Sequence, residues 1–272
     1  MPGKGPNVVT ASMRFRGERR NVLVSEAGDL AAAARAADER SGAGLGDAAL
    51  VYGFGDPAAV ATLQPRGWES LGPVPALVRP LRLSYASALL PRLPLLAPFG
   101  RRRRAGVREI TSLPADVRIT RLWDRFSVDV GVALERTTKL FAWRIHERAG
   151  SPYRVFIFED GDRYAIRAMC IFKVDQDVGY VMELLHDRSV TGMRAASHLL
   201  GLALREMSDA GATSARALSL PHSGSYPIYA RHAFFAARDG RAFGVRALDP
   251  DVEDAVLLRE RWYVSYVDAL DV

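Results

Sequence analysis

Tyr229-Ala-Arg-His-Ala-Phe-Phe235 decides the fold, because a fainter copy of it occurs earlier as Leu63-Gln-Pro-Arg-Gly-Trp68. Each copy follows an apolar run of strand type, residues 48–54 in the first case and 215–220 in the second. After each come a polar turn, a short helix, an aromatic residue and more strand-like sequence. A strand–helix–strand unit is therefore repeated, and the two copies differ at one chemically important position. The later copy has Tyr229 where the earlier has Leu63.

Outward from the first copy, residues 8–24 hold two strands with Gly17-Glu18 at a turn. Residues 29–40 are alanine-rich and helical by propensity, and Gly42-Ala-Gly44-Leu-Gly46 ends that helix. Residues 57–63 read as a short helix and 75–83 as a strand. This first unit, residues 1–83, looks like the back half of a domain. Residues 84–115 read as a connector: Pro91, Pro94 and Pro98 prevent a long regular helix, and Arg101 to Arg104 keep the chain solvated.

Residues 116–272 form the second unit. Leu122-Trp123-Asp-Arg-Phe126 is one amphipathic turn and residues 137–148 hold another. Strands follow at 153–158, 164–174 and 179–185, the first two joined by the hairpin turn Glu159-Asp-Gly-Asp162. Residues 191–210 form a long helix with Met193, Ala196, Leu200, Ala203, Leu204 and Met207 on one stripe. A strand at 215–220, a helix at 226–232 and closing strands at 242–248 and 262–267 complete the order β-β-β-α-β-α-β-β. The fold class is α/β (α+β), a mixed and mostly antiparallel sheet flanked by helices.

At 272 residues two domains are the natural expectation, and 49% hydrophobic content supports packed cores. One cysteine, Cys170, rules out an internal disulfide framework and fits a reducing compartment. The opening Met1-Pro-Gly-Lys-Gly-Pro lacks the apolar stretch of a secretory signal, and no long apolar run marks a spanning helix, so the expectation is a soluble cytoplasmic protein. The net charge of +6 is concentrated between Arg14 and Arg20 and in the arginine run with Arg108. Such a balance suits polyanions, but no zinc finger, helix-turn-helix or RNP-like motif accompanies it, so nucleic acid is not the expected partner. A membrane-surface reading also exists for residues 84–108, where Leu89, Leu90, Leu93, Leu95, Leu96 and Phe99 adjoin the arginines.

The stretches Leu140-Phe-Ala-Trp-Arg-Ile145, Ser151-Pro-Tyr153 and Trp262-Tyr-Val-Ser-Tyr-Val-Asp268 resemble a group of bacterial proteins of the GCN5-related N-acetyltransferase (GNAT) superfamily. Val51-Tyr-Gly-Phe-Gly-Asp56, Gly67-Trp68 and Val74-Pro-Ala-Leu-Val-Arg-Pro80 are similar to the first-domain signature of the same group. The resemblance implies a tandem protein with a shortened, partial N-terminal unit and one complete GNAT-like unit. The edge strands of the partial unit would then be covered by the second unit or by another chain.

The resemblance also implies a chemistry. In that superfamily an acyl-CoA enters between two splayed central strands, and amides at the start of the following helix hold its pyrophosphate. Transfer to an amine is direct, with no covalent enzyme intermediate and no metal. Tyr229 matches the general acid, and Glu183, in Tyr180-Val-Met-Glu-Leu-Leu185, is the candidate base, its pKa raised by burial against leucines. His186 is an alternative base and His222 a helix-capping residue. Aligned on Leu199-Leu200, the pyrophosphate loop becomes Thr191-Gly-Met-Arg194-Ala-Ala196, in which only the last small residue fits the family pattern. The implied cofactor set is Leu185, Arg188, Gly192, Arg194, Ala195 and Ala196, with the two arginines acting by charge. In the first unit, Glu26-Ala-Gly-Asp-Leu30 places acids where phosphates would sit. Trp143 and Arg144 read as packing and an ion pair, and Cys170 as a small buried hydrophobe. The implied activity is acyl transfer from acetyl-CoA, or another acyl-CoA, to an amine of a sugar or other small molecule. The degenerate loop equally fits a non-catalytic binding or scaffold protein of the same fold.

Overall fold

The computed structural model describes residues 8–15, 18–41, 48–87, 89, 91, 93–95, 105–110, 117–146, 153–161 and 165–269. The glycine stop at 42–46, the arginine run 101–104, Leu90, Leu96, Phe99, Ser151-Pro152, Asp162 and the side chains of Glu26 and Asp29 lie outside the described residues. In chain order the first elements are β1 (Val8–Phe15), β2 (Glu18–Asp29), α1 (Leu30–Ser41), β3 (Ala48–Gly55), α2 (Pro57–Leu63), β4 (Glu69–Val74), β5 (Ala76–Pro80) and β6 (Val107–Ile110). Then come α3 (Val117–Phe126), β7 (Val132–Leu134), α4 (Thr138–Phe141), β8 (Arg154–Asp160), β9 (Ala165–Asp175) and β10 (Val178–His186). The last are α5 (Val190–Asp209), β11 (Ser214–Leu218), α6 (Tyr226–Arg231), β12 (Phe235–Ala236), β13 (Arg241–Ala247) and α7 (Pro250–Val256).

The chain divides into two units, each assembled from separate segments. The first combines Met1–Pro75, Asp129–Glu135 and Arg238–Val272. Its six-stranded sheet runs β4-β13-β3-β2-β1-β7. Alanines let α1 lie close on this sheet: Leu30, Ala33, Ala34 and Ala37 form a core with Val51, Val60 and Trp68. Gly244 in β13 is part of that fit, since a Cβ there would stand 2.8 Å from Leu30 Cδ1. The start of α2 follows from local sequence: Asp56 accepts from the Ala59 amide at 2.7 Å and Pro57 occupies the first turn. Gly67, with φ of 78°, ends the turn that follows.

The second unit combines Ala76–Val128 and Arg136–Ala237, and its seven strands run β12-β5-β11-β10-β9-β8-β6. The apolar stripe of α5 packs with Phe156, Ala168, Cys170, Phe172 and Leu184, while α3 packs against β9 and β10. Residues 137–148 were expected to form one amphipathic turn. Instead α4, capped by Thr137 on the Leu140 amide, continues as a wider helical turn over Ala142–His146.

Three expectations about strands need correction. The closing strand at 242–248 does form, as β13, but it pairs with β3 and β4 in the first sheet. Conversely β5 leaves the first unit and pairs with β11 and β12 in the second sheet. The first unit is therefore not a bare back half, because β7 and β13 complete its sheet from later sequence. The physical reason is satisfaction of the backbone: each exchanged strand has an antiparallel neighbour on both sides, so neither is left with unpaired amides. Residues 262–267 are not a strand. Apart from a single bridge between Trp262 and Val132, they run as buried coil held by Asp268, which accepts from the Ser265 amide at 2.8 Å. β4, β6, β7, β12 and α7 are additional to the sequence expectation.

Candidate active site

The site begins where β10 and β11 part. Their parallel pairing covers Val178–Ser214 through Val181–Ala217 and then stops, although β10 continues to His186, still paired with β9. An irregularity in register between Val181 and Glu183 bends β10 at that point. The result is a wedge at the C-terminal ends of two parallel strands, where open α/β sheets take ligands. The corresponding pair in the first unit behaves differently: β2 and β3 pair through Val24–Tyr52 and meet again at Asp29–Phe54. There the strands part over residues 25–28 and close again, whereas β10 and β11 do not pair again after Val181–Ala217.

Backbone groups facing the wedge are engaged from within the unit. The Leu184 amide donates to Glu183 Oε1 at 3.2 Å, and the Leu184 carbonyl accepts from Ser225 Oγ at 2.6 Å. His186 Nδ1 accepts from the Arg188 amide at 3.1 Å, which puts the ring proton on Nε2, 3.2 Å from the Gly224 carbonyl. Burial, chiefly, lowers the His186 pKa, so the ring is a neutral imidazole with both nitrogens used. Arg188 takes a left-handed conformation, with φ of 62°, to make this turn. Its guanidinium donates to the Phe126 carbonyl at 2.7 Å.

Glu183 is fully buried, as the strand pattern suggested, but leucines are not its decisive neighbours. Arg136 Nε donates to its Oε2 at 2.7 Å, and both side chains are inaccessible to solvent. The Arg136 guanidinium lies 5.4 Å from the Trp123 ring centroid. The carboxylate is thus held in an ion pair inside the unit, away from solvent.

The expected pyrophosphate segment lies at the start of α5. Residues 191–196 belong to the first turns of α5, so the amides of Arg194, Ala195 and Ala196 enter the helical ladder. The reason is local: Ser189 caps the helix by accepting the Gly192 amide at 2.9 Å, and arginine and alanines then propagate it. Ala195, Ala196 and Leu185 are buried, Arg194 is exposed, and His222 is exposed on the loop before α6. Asp187 lies against the helix start. Its Oδ1 accepts the Ser189 hydroxyl at 2.5 Å and the Ser189 amide at 3.1 Å, while Oδ2 accepts Arg167 Nη1 at 2.7 Å. Burial alone would raise the Asp187 pKa, but Arg167 and Ser189 outweigh it and hold the carboxyl below its usual range. Gly192 is required by this contact, since a Cβ there would stand 2.0 Å from Asp187 Oδ1.

Tyr229 lies on α6, buried in the core that α5 covers, with its ring edge-on to Phe234 at 5.3 Å. At the end of α6, His232 Nε2 is 2.9 Å from Ser197 Oγ of α5, and Arg79 of β5 donates to the His232 carbonyl. Burial first, and Arg79 second, lower the His232 pKa to about 4. The sequence reading missed Arg136, Asp187, Arg167 and Ser225. Only Asp187-Arg-Ser189 carried a local signal, an acid and a capping serine directly before a helix. Among the described residues no group of three or more His, Cys, Asp or Glu could hold a metal, and no helix is long and apolar enough to cross a membrane.

No protein-family profile and no curated protein sequence matches the chain. Solved structures do. Saccharomyces cerevisiae N-myristoyltransferase with bound myristoyl-CoA matches at a TM-score of 0.60 and 14% identity, over 90% of this chain and 69% of that one. A second structure of that enzyme matches at 0.61 and 12% identity, over 89% and 62%. A conserved Enterococcus faecalis V583 protein, described as a probable N-acyltransferase, matches at 0.54 and 13% identity, over 89% of this chain and 58% of that one. The chain thus spans three fifths to seven tenths of these proteins. At these identities the likeness shows the fold: GNAT-like, in the tandem form.

Proposed function

We propose that the second unit transfers an acyl group from an acyl-CoA-type thioester to an amine, with the donor in the wedge between β10 and β11. The observation that carries this reading is the parting of those strands after Val181 and Ala217, in a fold shared with an enzyme described with bound myristoyl-CoA. The amine nitrogen attacks the thioester carbonyl, and the C–S bond breaks as the N–C bond becomes an amide. The departing thiolate takes its proton from Tyr229, and the proton that the amine loses passes through water to restore the phenol. Glu183, tied to Arg136, holds the strand beyond the irregularity in place and is assigned a positioning role. Acetyl-CoA as donor, an amine of a sugar or other small molecule as acceptor, and a cytoplasmic location belong to the same proposal.

Calorimetry with acetyl-CoA and a long-chain acyl-CoA tests it, and absence of binding at millimolar donor removes the enzyme reading. Given binding, Tyr229→Phe lowers turnover by about 10²-fold, the usual scale for a lost general acid, and leaves donor affinity nearly unchanged. A second reading, a non-catalytic GNAT-like binding or scaffold protein, is favoured by one specific observation. Glu183 and Ser225 already engage the Leu184 backbone, and Asp187 already lies at the start of α5. Binding of a donor without turnover on any amine in a panel selects that reading.

A further inference from the structure

A polar side chain at the start of a helix ordinarily turns back onto the amides of its own first turn. Asp56 does this for α2 in the first unit, accepting from the Ala59 amide at 2.7 Å. Ser225, which precedes α6 in the second unit, does not. Its hydroxyl makes no capping bond and donates instead to the Leu184 carbonyl of β10 at 2.6 Å, 41 residues away in sequence. The adjacent residue is held in the opposite sense, because His186 Nε2 donates to the Gly224 carbonyl at 3.2 Å. Leu184 and His186 are alternate residues of β10, beyond the point where its pairing with β11 stops. Two contacts of opposite direction thus join the start of α6 to that part of the strand. What this start carries is Tyr229, whose amide donates to the Ser225 carbonyl at 3.2 Å. One buried residue therefore meets β10 through its side chain and the tyrosine through its backbone.

Resting on the acyl-transfer reading above, we infer that Ser225 is a positioning residue for Tyr229. Its hydroxyl gives up helix capping to fix the first turn of α6 against β10, and that turn sets where the phenol stands relative to a thioester sulfur in the wedge. Ser225 acts through Tyr229 and exchanges no proton with either substrate. The first unit has Leu63 in place of Tyr229, and there the residue before the short helix keeps its ordinary capping role.

A double-variant cycle of the full chain tests this, with acyl transfer from acetyl-CoA to a panel of amines as one readout and calorimetry of acetyl-CoA as the other. Rates are compared at matched folded fraction. Ser225→Ala lowers turnover by about tenfold or more, since displacing a reacting group by about 1 Å costs up to about 10²-fold. It leaves the acetyl-CoA dissociation constant within about threefold of wild type. In the Tyr229→Phe background the same substitution costs less than about twofold, because no phenolic proton is left to place. Equal losses in the two backgrounds overturn the inference and leave acyl transfer standing. So does unchanged turnover in folded Ser225→Ala, or a loss of donor affinity as large as the loss of turnover. Should Ser225→Ala not fold, Ser225→Cys, which nearly keeps the volume with a weaker donor, is read in the same cycle by the same criteria. Failure of both to fold assigns Ser225 to the fold alone and also overturns the inference. If wild type forms no amide from any amine in the panel, the acyl-transfer reading itself fails, and the inference falls with it.

Discussion

Replacing Glu183 by glutamine separates a positioning carboxylate from a catalytic one. Glu183 and Arg136 are both fully buried, 2.7 Å apart, and the guanidinium faces Trp123. Glutamine preserves the volume and one acceptor oxygen but removes the negative charge that faces the buried Arg136 guanidinium. Breaking a buried pair in this way costs about 3 to 5 kcal/mol, whereas exchanging both partners for apolar residues is often neutral or better. Glu183→Gln therefore unfolds at markedly lower denaturant, and Glu183→Leu with Arg136→Met recovers most of the loss. Denaturant unfolding of the full chain, followed by tryptophan fluorescence, reads this because Trp123 sits beside the pair. The two-unit chain calls for fitting more than one transition. A Glu183→Gln protein as stable as wild type, with the double variant less stable than either single one, would refute the positioning role. Activity is compared only at matched folded fraction, so that instability is not mistaken for lost chemistry.

Three further outcomes are expected. Gly192→Ala gains helix propensity of up to about 1 kcal/mol yet is destabilising overall by about 1 to 3 kcal/mol, because its Cβ displaces Asp187; a raised melting temperature would show the carboxylate lies elsewhere. Cys170 is fully buried, and burial pushes its thiol well up, so a thiol reagent at neutral pH labels it only as the second unit unfolds; rapid labelling of native protein contradicts the packing. For His232 the sign follows from linkage: its folded pKa of about 4 lies below the ordinary 6.5, so the unfolded chain binds the extra proton in between. Stability is therefore lost as pH falls from about 6.5 towards 4, by at most about 3 kcal/mol from this group. His232→Gln flattens that part of the unfolding-versus-pH curve, and an unchanged slope would remove His232 as its source.

What the sequence made legible was local. Asp56-Pro57 and Thr137 announce helix starts through capping chemistry, and the stripe of α5 announces its buried face. The partner of a strand is not local information. Residues 242–248 read correctly as extended, but nothing in their alternation says that Val245 lies opposite Tyr52 and not beside β11. The Arg136–Glu183 pair was hidden for the same reason, since its members are 47 residues apart and only the folded chain brings them together. The nearness of Tyr229 to Phe234 was legible from their spacing, and the two rings do pack edge to face.

The asymmetry between the units was anticipated from side chains, Leu63 against Tyr229 and acids against arginines, yet its firmer basis is the backbone. In the first unit β2 leaves its register with β3 over residues 25–28 but returns to it at Asp29–Phe54, directly before α1 begins at Leu30. In the second unit Asp187, Arg188 and Ser189 lie between β10 and α5, with Arg188 in a left-handed conformation. Those three residues bring α5 back over the sheet after β10 has already left β11, and the wedge survives. A side-chain exchange at Leu63 cannot reproduce that difference. On the acyl-transfer reading proposed above, the capacity to take a donor would reside in the connection from strand to helix, and the residues around it would set how tightly the donor is held.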